Sequence, residues 1–188
     1  MRLSKPRVAP VPEAEWTEEQ KDLLKPVSER GPPINIFKTL VAHPAAMKAF
    51  MRFGNHVLSR GNTIPPRERE LVILRIGFLC KSGYEFTQHT AIGKRTGLTD
   101  DEIVRLKQGP AAPGWSVTDM ALLKACDDLH ADQFITDETW ELLRQHFNDQ
   151  QCVDLIFTVG QYTQVSMLLN SFGVQLDAGQ SLDPDLRK

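Results

Sequence analysis

The sequence predicts an all-α fold built as an oligomeric helix bundle. No segment of the 188 residues shows the sustained two-residue alternation of apolar and polar side chains that is typical of strands. Several segments instead place apolar residues at helical spacing behind a capping residue and before a glycine or proline. Since 41% of the residues are hydrophobic, the chain can also bury a sizeable core within one main domain.

The first 33 residues are predicted to form an N-terminal arm and a short helix. Residues 1–14 are rich in proline and charge, which favours an extended arm that could lie on a neighbouring subunit. Thr17 and Gln20 have the spacing of a capping box at a helix start, and the Gly-Pro-Pro sequence at 31–33 ends that unit.

The main domain is predicted over residues 34–176. It opens with a short apolar helix that stops before Pro44, followed by an amphipathic helix that runs to Gly61. Pro65-Pro66 then begins a helix over about 67–80, because proline is tolerated in a first helical turn. That helix is apolar on most faces, which predicts burial on more than one side.

Further helices are predicted in the second half of the chain, before a C-terminal tail at 177–188. Gly97 and Gly173 are expected to end two of them, and Thr99 with Glu102 forms a second capping-box pattern. The predicted helices cover about residues 84–96, 100–108, 118–131, 137–147 and 149–171.

Composition argues against several classes of partner. The formal net charge is −2 with no run of Lys or Arg, so neither a nucleic acid nor an anionic membrane surface is expected to bind. The most apolar segment, 153–174, contains several polar residues and is a poor membrane span. The first residues lack the apolar run of a secretory signal, and the three cysteines are far apart, which together predict reduced thiols in a cytoplasmic protein.

The segment 67–99 contains the candidate catalytic residues. Glu85 and His89 are four residues apart, so they stack on one side of a helix. Ser82 lies at the entrance of that helix, and Gly83 could let the chain turn there. If the preceding helix folds back, Glu70 joins them, and two carboxylates, a hydroxyl and an imidazole share one pocket.

Each of these residues also has a purely structural interpretation. Ser82 and Glu85 have the spacing of a capping box, which is compatible with a pocket position. His89 could be an ordinary hydrogen-bonded histidine. A buried Glu70 needs a partner or a proton, and the structural alternative is an ion pair with Arg67, Arg69 or Arg75.

Other side chains could line or serve the same pocket. Tyr84, Gln88 and Tyr162 carry polar tips on largely apolar bodies, so they could bind a substrate or satisfy hydrogen bonds at an interface. Cys80 ends an apolar run and is expected to be a buried core thiol, with a redox role beside His89 as the alternative. The other four histidines show no ligand spacing, so no metal site is predicted.

The order Glu70, Ser82, Glu85, His89 resembles the Glu…Cys-x-x-Cys-x-x-x-His motif of alkylhydroperoxidase D-like (AhpD-like) proteins in the carboxymuconolactone decarboxylase superfamily. RERELVILR before the motif and YEFTQH within it resemble the branch that lacks the CxxC dithiol. Ser82 stands at the first cysteine position and Glu85 at the second. The looser resemblance from about Ile34 to Val174 implies the AhpD-like helical fold.

The resemblance implies a cofactor-independent lyase similar to carboxymuconolactone decarboxylases, acting on a small carboxylated lactone or a related acid. His89 would be the general acid or base, with Glu85 orienting it or sharing its proton. Glu70 would be a second proton carrier, and Ser82 or Tyr84 would donate a hydrogen bond to a substrate oxygen.

Two other functions remain open from the sequence. An alkylhydroperoxidase-type activity would use Cys80 as a solitary thiol and an external thiol to close its cycle. A helical oligomer that binds a small ligand without converting it is the non-enzymatic alternative. In each case the resemblance implies a homo-oligomer, which in this superfamily is commonly built from dimers, trimers or hexamers, and no cofactor.

Overall fold

The computed structural model describes residues 2–29 and 31–187, and over these residues the chain is helical without any strand. The all-α prediction is therefore confirmed. Short 3-10 turns lie at Glu13–Glu15 and Pro184–Leu186. The helices are α1 (Glu18–Ser28), α2 (Asn35–Leu40), α3 (Pro44–Leu58), α4 (Pro66–Leu79), α5 (Gly83–Thr96), α6 (Asp100–Gln108), α7 (Val117–Asp132), α8 (Asp137–Arg144) and α9 (Asp149–Phe172).

Two predicted capping boxes form as expected. The Thr17 amide donates to Gln20 Oε1 at 2.9 Å, and the Thr99 amide donates to Glu102 Oε2 at 2.8 Å. In each box the threonine hydroxyl also accepts from the amide three residues later. These contacts satisfy amides that a helix start leaves without partners, so they define where α1 and α6 begin.

Helix α4 is the central element of the fold. It packs against α5, α7 and α9, and every residue from Glu70 to Gly77 is buried. A run of eight consecutive buried residues covers all sides of a helix, as the sequence predicted. The side chains of these eight residues can therefore reach only protein groups or an internal cavity.

The turn between α4 and α5 decides how the candidate site is assembled. Lys81 has a φ of +54°, and the Ser82 amide donates to the Gly77 carbonyl at 2.8 Å while the Lys81 amide donates to Phe78. This pattern is a Schellman motif, which reverses the chain at Lys81 rather than at Gly83. It folds α5 back against α4, so the two halves of the sequence motif meet.

The same turn explains why the capping box of Ser82 and Glu85 was a wrong prediction. The Ser82 amide is already bound to the Gly77 carbonyl, so it cannot donate to the Glu85 carboxyl. The Ser82 side chain makes no capping hydrogen bond either. Glu85 is consequently free to turn toward the interior.

The arm and the tail both pack on the described chain itself. The Arg7 amide donates to the Phe172 carbonyl at 2.7 Å, so the arm lies along the end of α9. Asp177 in the tail accepts from the Asn35 amide at 2.8 Å. The division of the chain at residues 34 and 176 stays a prediction.

One face of α9 exposes large apolar side chains. The exposed side chains are those of Val153, Ile156, Phe157 and Met167. Their burial against another copy would agree with the homo-oligomer, which stays a prediction.

In the described part of the chain no helix is long and apolar enough to cross a membrane.

Candidate active site

A buried carboxylate and imidazole form the centre of the candidate site. Glu70 Oε2 on α4 lies 2.8 Å from His89 Nδ1 on α5, and the two residues are only 1% and 8% exposed. The carboxylate fixes the orientation of the ring. In the described structure His89 Nε2 has no hydrogen-bond partner, so it is the ring nitrogen that could exchange a proton with a ligand.

Glu70 forms no ion pair with the arginines that the sequence offered as partners. Its partner is His89, so the alternative structural interpretation of Glu70 was wrong. The arginines bond other acceptors: Arg67 bonds Asp119 and Glu102, Arg75 bonds Asp127, and Arg69 bonds the Ser59 carbonyl.

Glu85 occupies a different position from the one expected. The sequence suggested that it orients His89, but its Oε2 accepts a 2.6 Å hydrogen bond from Ser166 on α9. Its Oε1 is buried without a partner among the described residues. A Cβ atom on Gly77 would lie 2.7 Å from Oε1, so a larger residue there would displace this carboxyl. Glu70, rather than Glu85, is therefore the orienting carboxylate.

Burial raises the pKa of Glu85 well above its ordinary value, and the negative charge of Glu70 raises it further. The hydrogen bond from Ser166 acts in the opposite direction. Because the carboxyl is only 2% exposed, burial is the main cause of this shift toward the neutral form.

Glu85 and His89 border a cavity of about 270 Å³ enclosed by α2, α3, α5 and α9. The volume is slightly below the ~300–1,000 Å³ of common ligand sites, which fits a small molecule. No lysine or arginine is among its lining residues. Most of the wall is apolar, including Phe37, Phe50, Met51, Ile92, Val165 and Leu169.

All three residues expected to bind substrate line this cavity. The Tyr84 hydroxyl donates to Asp177 at 2.6 Å and the Gln88 amide donates to the same carboxylate at 2.7 Å. Their polar tips therefore hold the C-terminal tail, while their bodies form the wall. The Tyr162 ring meets the His89 ring edge-on, with 4.8 Å between centroids.

Part of the chain and its fold are similar to known proteins. The sequence profile of the carboxymuconolactone decarboxylase family matches residues 44–128, which include Glu70, Glu85 and His89. The fold is similar to the alkylhydroperoxidase AhpD core of a peroxidase-related protein from Ralstonia eutropha JMP134, over 94% of this chain and 95% of that one, with a TM-score of 0.79 and 18% identity. The match over residues 44–128 and the shared fold support a relationship to the carboxymuconolactone decarboxylase/AhpD-like superfamily.

Two other proteins are similar to this chain. The uncharacterized protein YdfG of Bacillus subtilis (strain 168) is 23% identical over 120 residues, which are 63% of this chain and 80% of YdfG. A cysteine-to-alanine variant of the debrominase Bmp8, in complex with 2,3,4-tribromopyrrole, has a TM-score of 0.77 at 11% identity over 93% of this chain and 94% of Bmp8. The latter likeness concerns the fold alone.

The two positions that resemble the superfamily's dithiol differ in whether they border the cavity. Ser82, at the first cysteine position, is fully buried and does not line the cavity. Its hydroxyl has no hydrogen-bond partner within the described residues. The expected role of Ser82 as a donor to substrate therefore has no support in the geometry, whereas Glu85 at the second position does border the cavity.

Cys80 differs from both of its sequence-based interpretations. It is partly exposed rather than buried in the core, and its Sγ lies 3.8 Å from Nδ1 of His130 rather than next to His89. It does not line the cavity. Burial raises the pKa of this thiol, and the nearby Glu85 raises it further, which disfavours the reactive thiolate.

Sequence reasoning missed two polar residues on α9 that belong to this site. Ser166 bonds Glu85, and Gln161 lines the cavity. Both lie on the buried side of a largely apolar helix, and that unusual position was the available signal. Among residues 2–29 and 31–187, no group of three or more His, Cys, Asp or Glu side chains could hold a metal ion.

Proposed function

We propose that this protein is a cofactor-independent carboxy-lyase acting on a small, largely apolar acid with one carboxylate. The observation that carries the proposal is the buried Glu70–His89 pair, whose Nε2 has no protein partner in the described structure and borders an apolar cavity. This geometry fixes one ring nitrogen on a carboxylate and leaves the other for proton transfer.

The chemistry follows from the position of that pair. When the bond between the substrate carbon and its carboxylate breaks, carbon dioxide leaves and the electron pair moves into an adjacent unsaturated group. Glu70 stabilises the His89 imidazolium through Nδ1 until the proton is transferred. His89 then delivers the Nε2 proton to that carbon. Solvent subsequently returns a proton to His89.

The apolar wall supports the bond-breaking step. A carboxylate in such a cavity loses most of its hydration, and its charge becomes more delocalised as carbon dioxide departs. The loss of water therefore raises the free energy of the ground state more than that of the transition state, which lowers the barrier to decarboxylation.

The absence of Lys and Arg from the lining residues limits the substrate's charge. Protonated His89 can pair with one carboxylate, and the Glu85 carboxyl adds no positive charge. A second carboxylate would be buried without a cationic partner, which is costly. The proposed substrate is therefore a monocarboxylic lactone or a related unsaturated acid rather than a diacid.

A thiol peroxidase activity has less support, because Cys80 does not line the cavity and its Sγ contacts His130. A ligand-binding protein without turnover would use the same cavity. The complex of the Bmp8 variant with 2,3,4-tribromopyrrole shows that a related fold accepts a small ring, which agrees with either use.

The test is carbon dioxide release from a panel of small lactone and unsaturated acids, assayed with purified protein and EDTA. The panel pairs each monocarboxylic acid with an analogue that carries a second carboxylate, and it includes carboxymuconolactone. We expect turnover of monocarboxylic acids with kcat/KM at least about tenfold above that of their diacid analogues. Release from none of them would contradict the lyase proposal, and a preference for diacids would contradict its substrate class.

A further inference from the structure

Gln161 is a buried amide with no hydrogen bond in the described structure. It lies on α9, is 2% exposed and lines the cavity. Its Oε1 has no partner. Its Nε2 faces α3 at Gly54, where an added Cβ atom would lie 3.6 Å away. The absence of a side chain at Gly54 thus leaves space beside the amide.

An unpaired amide in this position destabilises a folded protein. A buried polar group without a partner costs about 1–3 kcal/mol, and most buried side-chain polar atoms in native proteins are paired. Leucine or methionine would fill the same volume without that cost. The cavity-facing position therefore suggests that the partner of the amide is a ligand.

We propose that Gln161 binds an uncharged oxygen of the substrate, a lactone carbonyl or a hydroxyl. An amide can both donate and accept, and turning its terminal group by half a turn exchanges the two functions. It carries no charge, so it matches a neutral oxygen better than a carboxylate, for which the protonated His89 is the suitable partner. This inference rests on the proposed use of the cavity and adds a second recognised group to the substrate.

The substrate class becomes narrower as a result. It is a single-ring or compact bicyclic molecule with an apolar body, one carboxylate at His89 and one neutral oxygen at Gln161. The apolar lining of α3 and α9, including Met51 and Val165, would contact the ring between them.

The experiment measures binding with two neutral probes that share one ring skeleton. Phthalide carries a lactone group, and indane is the corresponding hydrocarbon. Dissociation constants from ligand-observed NMR are compared for the wild type and Gln161→Met. We expect the variant to lose about three- to tenfold in affinity for phthalide relative to indane, which is the effect of one neutral hydrogen bond.

Thermal unfolding without any probe separates a binding role from a structural one. If the amide lacks a partner in the free protein, Gln161→Met should raise Tm by about 2–6 °C. Gln164→Met is the matched control, because Gln164 is exposed on the same helix. It should change neither the probe ratio nor Tm appreciably.

Three results would overturn the inference: no binding of phthalide to the wild type, an unchanged probe ratio in Gln161→Met, or a lower Tm in that variant. Gly54→Ala keeps the test decisive if Gln161→Met does not fold. The added methyl group would lie in ordinary contact with the amide and fill the space beside it. Gly54→Ala should therefore reduce the preference for phthalide over indane.

Failure of the lyase proposal would look different. Absence of turnover together with a changed ratio in Gln161→Met would remove the lyase activity and leave the binding role of Gln161 intact.

Discussion

His89→Ala is expected to lower kcat on the best acid of the panel by about 10²–10⁴-fold, the usual contribution of one positioned acid or base. The variant removes the only imidazole that lines the cavity in the described structure. Substrate binding should weaken less than turnover, because the apolar wall is unchanged. Steady-state kinetics with carbon dioxide detection measures both parameters.

Two further variants make this result specific. Glu70→Gln keeps the shape of the partner but removes the charge that stabilises the imidazolium, so kcat should fall with little change in KM. His146→Ala removes an exposed histidine after α8 and should retain wild-type kinetics. A His89→Ala variant within about threefold of the wild type, by the same assay, would remove His89 from the mechanism.

Glu85→Gln is expected to change how the free energy of unfolding depends on pH. The folded-state pKa of Glu85 is raised above its ordinary value of 4.5. Between those two values the folded protein binds one more proton than the unfolded chain, so wild-type stability falls as pH rises, by up to about 1.4 kcal/mol per pH unit. The stabilising contribution is complete below the ordinary pKa and is lost through the raised one.

Glutamine does not titrate, so the variant should lack this contribution to the slope. The difference in unfolding free energy between Glu85→Gln and the wild type should increase in favour of the variant from about pH 5 upward. Urea unfolding at several pH values measures it. Glu141→Gln, at an exposed position of α8, is the control and should leave the slope unchanged. Parallel curves for Glu85→Gln and the wild type would show that Glu85 has an ordinary pKa.

The sequence was sufficient for the features that depend on local patterns. Capping residues and prolines marked where the helices begin, and four-residue spacing placed Glu85 and His89 on one side of α5. The meeting of Glu70 with His89 required only that α4 and α5 pack antiparallel across a short turn.

The remaining site features depend on contacts between distant segments. Ser82 and Glu85 have a capping spacing, but the Schellman motif at Lys81 takes the Ser82 amide and Ser166, 81 residues away, takes the Glu85 carboxyl. A local pattern cannot reveal that competition.

The same reason explains why the position of Cys80 was predicted wrongly and why Gln161 was missed. The contact of Cys80 with His130 joins the end of α4 to α7, and Gln161 borders a cavity to which α3 contributes Gly54. Burial of a single side chain is decided by which helices pack around it, and helical periodicity reports only the face on which it lies.

The most direct test of acid–base rather than thiol chemistry is to run the reaction in D₂O with the wild type and Cys80→Ser, and to locate deuterium in the product by NMR. Protonation by His89 predicts one deuterium at the carbon that lost carbon dioxide, at the same rate in both proteins. Loss of activity in Cys80→Ser, or a product without deuterium at that carbon, would contradict it.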